Sequence, residues 1–106
     1  MAVCAVTRHA EHRIRERVGL PKKAVRRAAA RAITCGVSHL ETSGGLRRYL
    51  DYIYMRGYGE ANNMYVYGTF IYLFCNDTLM TVYDVPQKYR KQAAKLMQRR
   101  RDDNGM

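Results

Sequence analysis

The stretch MYVYGTFIYLFCNDTLMTVYD, residues 64–84, decides the fold of this chain. Its apolar residues recur with the period of two that is typical of β-strands, and turn sequences interrupt it at Gly68-Thr69 and Asn76-Asp77. Two-residue turns fix the register of the hairpins that they join. The stretch therefore predicts three antiparallel strands, over residues 64–67, 70–75 and 78–84.

This register assigns each strand residue to one of two sheet faces. It places Val66 opposite Ile71, and Ile71 opposite Val82. The aliphatic face, predicted to be core, consists of Met64, Val66, Ile71, Leu73, Met80 and Val82. The opposite face is largely aromatic and consists of Tyr65, Tyr67, Phe70, Tyr72, Thr81 and Tyr83. Either helices cover the aromatic face, or it forms a concave platform on which unpaired bases stack.

Helix signals lie upstream of these strands. Thr7 is a suitable N-cap for a first helix, while Gly19 and Pro21 suit the end of that helix and the first turn of the next. The second helix has an apolar stripe rich in alanine and ends at Gly36. Its lysines and arginines lie off that stripe. This pattern fits a core-facing helix with a solvated basic back, and it also fits a helix that binds a polyanion.

Further helices are predicted on either side of the strands. Residues 37–45 are predicted to be loop, and the apolar residues of 46–53 then have the i, i+3, i+4, i+7 spacing of a third helix. Gly57 and Gly59 would close that helix, and a strand over residues 52–55 is the alternative.

A last helix follows Pro86, with Asp84 as its expected cap. Its inward-facing residues are predicted to be Tyr89, Ala93, Leu96 and Met97. The fold class is therefore α+β, with three N-terminal helices, a three- or four-stranded antiparallel sheet and a C-terminal helix.

Positive charge is concentrated at the two ends of the chain. The 106 residues include 19 Lys and Arg and nine Asp and Glu, which gives a formal net charge of +10. Residues 1–31 hold nine of the cations with two acids, residues 86–106 hold seven with two, and the middle holds three with five. Such asymmetry indicates a polyanionic partner, most often nucleic acid. The length fits a single domain, residues 1–106.

The cysteines and apolar runs indicate the cellular setting. Cys4, Cys35 and Cys75 are scattered and lack metal-ligand spacing, which predicts a reducing, cytoplasmic compartment and no bound metal. No apolar run approaches the roughly 18 residues of a membrane span. The apolar N-terminal stretch is short and is interrupted at Arg8, so that neither a signal peptide nor a membrane partner is expected.

The first helix carries the strongest candidate for catalytic chemistry. At about 100° per residue, His9, Arg13 and Arg17 stack on one face beside the apolar stripe. Metal-free cleavage of RNA needs an acid–base group and cations around the charged phosphorane, and His9 with Arg13 supplies both. Thr81 or Tyr83 of the last strand could add hydrogen bonds to the phosphate.

The remaining histidines are weaker candidates. His12 and Glu16 have the i, i+4 spacing of a surface ion pair. His39 falls in the predicted loop, and no partner for it is evident. The residues expected to contact nucleic acid are arginines outside the core and tyrosines of the aromatic face, namely Arg17, Arg26, Arg27, Arg47, Arg48, Tyr65, Tyr67 and Tyr72.

Three motifs resemble those of a known superfamily: Thr7-Arg8-His9-Ala10, Arg13 with Glu16-Arg17, and Leu79-Met80-Thr81-Val82-Tyr83. They resemble the barnase–EndoU–colicin–RelE-type ribonucleases, and more closely small prophage-associated proteins of that group. The resemblance covers the N-terminal part and the hairpins, but not residues 37–60. It implies that His9 and Arg13 meet Thr81 or Tyr83 in a cleft.

The sequence therefore predicts a basic RNA-binding, ribonuclease-like domain. The resemblance implies a metal-independent endoribonuclease toxin borne by a phage or mobile element, without a cofactor, whose further partner is an antitoxin or a host nucleoprotein complex. The alternative is a non-catalytic phage regulator or inhibitor that binds nucleic acid or a nucleoprotein. A third alternative is a structural protein that self-associates through exposed tyrosines. Exposure of His9 beside Arg13, facing the tyrosines, would favour the enzyme.

Overall fold

The structure, a computed structural model, describes residues 5–56, 63–76 and 78–103. This part of the chain forms five strands and four α-helices. In chain order they are β1 (Ala5–Val6), α1 (Arg8–Arg17), α2 (Lys22–Cys35), β2 (Val37–Ser38), α3 (Gly44–Met55), β3 (Asn63–Tyr67), β4 (Phe70–Cys75), β5 (Thr78–Asp84) and α4 (Arg90–Asp103). Short 3₁₀ turns, His39–Glu41 and Gln87–Tyr89, precede α3 and α4.

The strands form one sheet in the order β1-β5-β4-β3-β2. Strands β2 to β5 are antiparallel to their neighbours, and β1 adds a two-residue parallel edge beside β5. The predicted α+β class is therefore confirmed, with four antiparallel strands, three helices before the main hairpins and a helix after them. The edge strand β1 was not predicted, because two residues give no periodic signal.

The local signals around α1 and α2 act as predicted. Thr7 is the N-cap of α1, and its Oγ1 accepts a hydrogen bond from the backbone N–H of Ala10 at 3.1 Å. Gly19 has a φ of +76°, a conformation that favours glycine. Pro21 is the residue before α2 rather than its first residue, and Gly36 ends α2.

The segment predicted to be loop contains ordered structure. Within it, β2 pairs with β3, and the turn His39–Glu41 follows at once. The backbone N–H of Ser38 donates to Oε1 of Glu41 at 2.9 Å, the interaction expected of an S-x-x-E sequence at a helix start. The alternative of a strand over residues 52–55 is wrong, since these residues belong to α3. Gly57 and Gly59 lie outside the described residues.

A β-bulge corrects the predicted register of the last hairpin. The pairs Cys75–Thr78 and Phe74–Leu79 follow the two-residue turn, but the register then shifts, and Leu73 pairs with Thr81. Beyond the bulge, Tyr72 lies opposite Val82 and Ile71 lies opposite Tyr83, instead of the predicted Ile71–Val82 pair. A one-residue shift moves every later side chain to the other face, so Val82 and Thr81 exchange faces.

Both faces of the sheet are covered by helices. Helices α1 and α2 lie on the aromatic face, whose buried cluster contains Ala10, Ile14, Val25, Ala29, Ala32, Tyr72, Phe74, Leu79 and Val82. Helices α3 and α4 lie on the aliphatic face, whose buried cluster contains Val37, Leu46, Leu50, Ile53, Met64, Val66, Ile71, Leu73, Val85 and Ala93. The alternative of a helix-covered aromatic face is therefore the one that the structure adopts.

The last helix is held by its inward face and by one ion pair. Tyr89, Leu96 and Met97 pack against the core as predicted. Asp84 is the last residue of β5 rather than the cap of α4. Arg100 Nη1 donates to Glu41 Oε2 at 2.8 Å, which ties the end of α4 to the turn before α3. None of the helices in the described ranges is long and apolar enough to cross a membrane.

Burial on both faces has a measurable consequence. We expect Ile71→Ala to lower the free energy of unfolding by about 2–5 kcal/mol and Phe74→Ala by about 3–5 kcal/mol, since both side chains are fully buried. Met55→Ala, at an exposed position, should change it by no more than about 0.5 kcal/mol. Urea denaturation of the three variants checks this. A tolerated Phe74→Ala would show that the aromatic face is not core.

Candidate functional site

Helix α1 is fixed on the sheet by its cap and by two buried side chains. Besides capping the helix, Thr7 donates from its backbone N–H to the carbonyl of Leu79 and from its hydroxyl to the carbonyl of Met80, at 3.1 and 3.3 Å. Ala10 and Ile14 are fully buried against the sheet. The direction in which the polar side chains of α1 point is therefore set by contacts at both its start and its middle.

This orientation places the predicted catalytic pair at the border of the helix layer. His9 is exposed and Arg13, one turn further along, is half-buried. Neither side chain has a hydrogen bond or ion pair with another residue of the described part of the chain. Arg17 continues the same stripe, but its Nη1 donates to Asp84 Oδ2 at 2.7 Å. His9 and Arg13 therefore remain available to a ligand, whereas Arg17 is held by a carboxylate.

The structure does not bring Thr81 and Tyr83 to this pair. Thr81 is buried opposite Leu73, and Tyr83 packs against the core beneath α3 and α4. The physical reason is the β-bulge, which turns both residues away from the face that α1 covers. The four predicted catalytic residues are thus divided between two sides of the sheet.

The predicted base-stacking tyrosines do not form an open platform. Tyr72 is only 2% exposed, and burial, with a smaller contribution from Tyr67, raises its pKa to about 12. Tyr65 and Tyr67 are half-buried and pack against the cluster beneath α1 and α2. Tyr72 cannot contact a base in this fold, and helices occupy the surface over which a nucleic-acid strand would have stacked.

The outer surface of α1 and α2 is strongly basic. Arg26, Arg27 and Arg31 are exposed on α2 and have no partner among the described residues, and Arg8 and Arg15 of α1 are also exposed. The two acids of α1 offset part of this positive charge. Glu11 is half-buried, and Glu16 lies 3.4 Å from Nε2 of His12, the surface pair expected from the sequence. We call this surface the α1–α2 face.

A shallow groove of about 630 Å³ lies where α1 ends and α2 begins. Its lining residues are His12, Arg15, Glu16, Gly19, Leu20 and Pro21. The first turn of α2, next to this groove, contains Lys22 and Lys23, has no acid and is not capped by a side chain. Free backbone N–H groups at a helix start attract anions.

The other predicted arginines lie on α3. Arg48 is exposed, while Arg47 Nε donates to Asp51 Oδ1 at 3.3 Å. The same carboxylate oxygen lies 2.6 Å from Nε2 of His39, the histidine for which the sequence showed no partner. Asp51 therefore joins a side chain of its own helix to one from the preceding turn.

The His39–Asp51 pair borders a second concavity, a cleft of about 340 Å³ near the start of β3. Sequence analysis missed it because the contact between two residues twelve apart depends on how the turn packs on α3. Part of the signal was present, since Ser38 and Glu41 have the S-x-x-E spacing that predicts a turn at His39.

Hydrogen bonding favours the ionised form of both carboxylates near this cleft. The bond with His39, and then that with Arg47, lowers the pKa of Asp51 against a smaller opposing effect of desolvation. Desolvation raises the pKa of Glu41, but hydrogen bonds with Ser38 and the Arg100 guanidinium outweigh it and lower that pKa. At neutral pH both acids are therefore negative and neutralise neighbouring cations.

No group of three His, Cys, Asp or Glu side chains in the described residues could hold a metal ion. No protein-family model matches this chain, and the comparisons with curated proteins and with solved structures gave no match. Two surfaces of the described residues are candidates for a function: the α1–α2 face and the concavity beside His39, called the His39 cleft below.

The His39–Asp51 bond predicts a shift in titration. In His39→Ala, the pKa of Asp51 should rise toward its ordinary value. Because the folded-state pKa is lowered, the bond stabilises the fold above the ordinary carboxyl pKa, and this stability is lost as the pH falls through the lowered value. NMR titration of the Asp51 carboxyl carbon measures the shift. Glu41, with different partners, is the internal control, and an unchanged Asp51 midpoint would contradict the assignment.

Proposed function

We propose that the protein binds RNA through the α1–α2 face. The observation that carries the proposal is the composition of α2, whose 14 residues include five Lys and Arg and no acid. Its apolar stripe is buried against the sheet, and Arg26, Arg27 and Arg31 face solvent without partners in the described part of the chain. A row of cations in this position can neutralise successive phosphates of a nucleic-acid backbone.

This arrangement is unfavourable for the helix on its own. Arg27 is four residues from both Lys23 and Arg31, and like charges at this spacing destabilise a helix by about 0.2–0.5 kcal/mol per pair. Lys22 and Lys23 also occupy the first turn, where the helix dipole disfavours cations. A bound polyanion would remove both penalties. A helix surface whose only role is to face solvent has no need of this unfavourable arrangement of charges.

RNA is named as the polyanion because of the ribonuclease-like motifs of residues 7–17 and the exposed His9 at the border of the face. In the absence of an open tyrosine platform, the proposed contacts are mainly ionic. Such contacts position a strand without reading its sequence. We therefore propose broad, salt-sensitive binding rather than recognition of a particular sequence.

Charge substitution tests the location of the binding surface. The triple variant Arg26→Gln, Arg27→Gln, Arg31→Gln should weaken binding of single-stranded RNA. It should also reduce the slope of log affinity against log salt by about 2, at about 0.7 per phosphate contact. Fluorescence anisotropy over a salt series measures both quantities.

The matched control places the same charge change on the other side of the sheet, with Lys91→Gln, Lys95→Gln and Arg99→Gln in α4. These three residues are also exposed. Equal losses in the two triple variants would show that only net charge matters and would contradict the α1–α2 face as the interface. Binding that is indifferent to salt would contradict an ionic interface altogether.

A second candidate function, RNA cleavage, is favoured by the exposure of His9 beside Arg13. In that reaction the ribose 2′-OH attacks the adjacent phosphorus and the 5′-oxygen leaves, with His9 taking or giving a proton and Arg13 stabilising the phosphorane. Thr81 and Tyr83 have no part in it here. The reaction calls for a proton acceptor at the 2′-OH and a proton donor at the 5′-oxygen, and the pair supplies a single acid–base group with one cation. Binding is therefore the better supported proposal.

Cleavage has its own test. If the protein is a metal-independent ribonuclease, His9→Ala should slow cleavage of labelled RNA in the presence of chelator by about 10²–10⁴-fold, with RNA affinity nearly unchanged. Arg13→Ala should reduce both, because a cation also attracts the ground-state phosphate. Cleavage would support a phage- or mobile-element-borne toxin. Wild-type protein that binds RNA without cutting it would support a regulator or inhibitor of a nucleoprotein complex.

A further inference from the structure

The His39 cleft is built from three elements that converge beside β2. They are the turn His39–Glu41, the last turns of α3 and the start of β3. The walls include His39, Leu40, Tyr54, Asn63, Met64 and Tyr65. At about 340 Å³ the cleft is at the small end of the usual range for ligand pockets, about 300–1,000 Å³. This volume suits one nucleoside-sized group.

The imidazole of His39 is held firmly in this cleft. Its side chain is 18% exposed, Nε2 lies 2.6 Å from Asp51 Oδ1, and the ring centroid is 6.1 Å from that of Tyr54. Arg47 holds the same carboxylate from the other side. Nδ1 has no hydrogen-bond partner among the residues that the structure describes. A fixed ring with a nitrogen left over can hydrogen-bond a ligand at low entropic cost.

The rest of the wall suits a planar ligand with polar edges. Tyr54 is 47% exposed and presents its ring to the cleft, Leu40 is 78% exposed at the rim, and the Asn63 amide both donates and accepts hydrogen bonds. Aromatic side chains stack on nucleobases of any identity, and amides and imidazoles hydrogen-bond base edges. An unpaired base matches this combination better than a purely apolar side chain does.

The cleft also lies close along the chain to the end of α2, which carries the proposed RNA surface. Helix α2 ends at Cys35 and His39 follows four residues later, so their Cα atoms are at most about 14 Å apart. Arg31, four residues before the end of α2, is exposed, and Arg48 is exposed on α3. A strand that follows α2 to its end therefore comes within about 14 Å of His39.

We propose that the His39 cleft captures one unpaired nucleobase of the RNA strand that binds the α1–α2 face. The base stacks on Tyr54 and hydrogen-bonds His39 or Asn63 at its edge. This inference rests on the proposed function and adds to it a preference for single-stranded over fully paired RNA, because a paired base cannot enter the cleft.

The test compares variants of two tyrosines on α3. Tyr54→Ala should weaken binding of a single-stranded decamer RNA by about 5- to 150-fold, the range for the loss of one stacked base, and should leave affinity for a blunt RNA duplex unchanged. Tyr54→Phe keeps the ring and should bind like wild type. Tyr52→Ala is the matched control, since Tyr52 is as exposed, holds Arg56 and does not line the cleft.

The outcomes separate this inference from the proposed function. Tyr54→Ala changes no charge, so its salt slope should equal that of the wild type, whereas the α2 arginine variant should have a reduced slope. Salt-sensitive RNA binding with equal effects of Tyr54→Ala and Tyr52→Ala would overturn the base site and leave the proposed function standing. Absence of RNA binding by the wild type at low salt would overturn both.

A probe of the cleft alone uses adenosine 5′-monophosphate. Titration monitored by NMR should shift the ring signals of His39 and Tyr54 in the wild type, and the shift of the His39 ring signals should be lost in an Asn63→Ala, Tyr54→Ala double variant. Far-UV circular dichroism and the thermal unfolding midpoint of that variant should remain close to those of the wild type, because Tyr54 and Asn63 are exposed. Shifts confined to the α1–α2 face would contradict the proposal.

Discussion

The rest of this structure depends on the burial of both sheet faces. The β-bulge of the last hairpin determines which residues of β5 contact the helices on each face. Since both faces are covered, a slip of one residue would move each side chain of the strand from one core to the other and disrupt the packing on both sides. The bulge places Val82 beneath α1 and turns Tyr83 to the α3–α4 side. Ile14 can then seat α1, and the cationic side of that helix is directed to solvent.

The elements that could be predicted were those with local causes. Thr7 and Gly36 mark helix ends through their own backbone and side-chain chemistry, and the two-residue turns fix where the hairpins begin. The bulge has no such local mark, so the predicted faces of β5 were exchanged beyond it. The run Phe70–Cys75 contains only apolar and aromatic residues, a pattern typical of a strand buried on both sides, and this favours the covered face over the platform.

For the candidate site, the sequence could identify residues with suitable chemistry, but it could not show which of them the fold brings together. The spacing of His9 and Arg13 on one helix predicts their proximity, because four residues make about one turn. Proximity to Thr81 depended on strand register, and the register shifted. His39 is the opposite case, a contact that exists but was not predicted. Its pairing with Asp51 depends on how a short turn packs on α3, and no rule of sequence spacing indicates it. Contacts within one element or across a two-residue turn were thus predictable, whereas contacts that depend on a bulge or on the packing of separate elements were not.

The acids of the middle segment help to explain why the exposed arginines of α2 have no carboxylate partner among the described residues. Asp84, Asp51 and Glu41 each bind a cationic side chain from outside α2, and hydrogen bonds keep Asp51 and Glu41 ionised. Their negative charge is therefore offset by Arg17, Arg47 and Arg100 rather than by the arginines of α2. The repulsion that remains along α2 is offset by burial of its stripe, with Val25, Ala29 and Ala32 closely packed on the sheet. Tertiary packing thus stabilises α2 although repulsion between its own charges disfavours the helix. The same packing keeps those charges in a row facing solvent, where a phosphate backbone can relieve their repulsion.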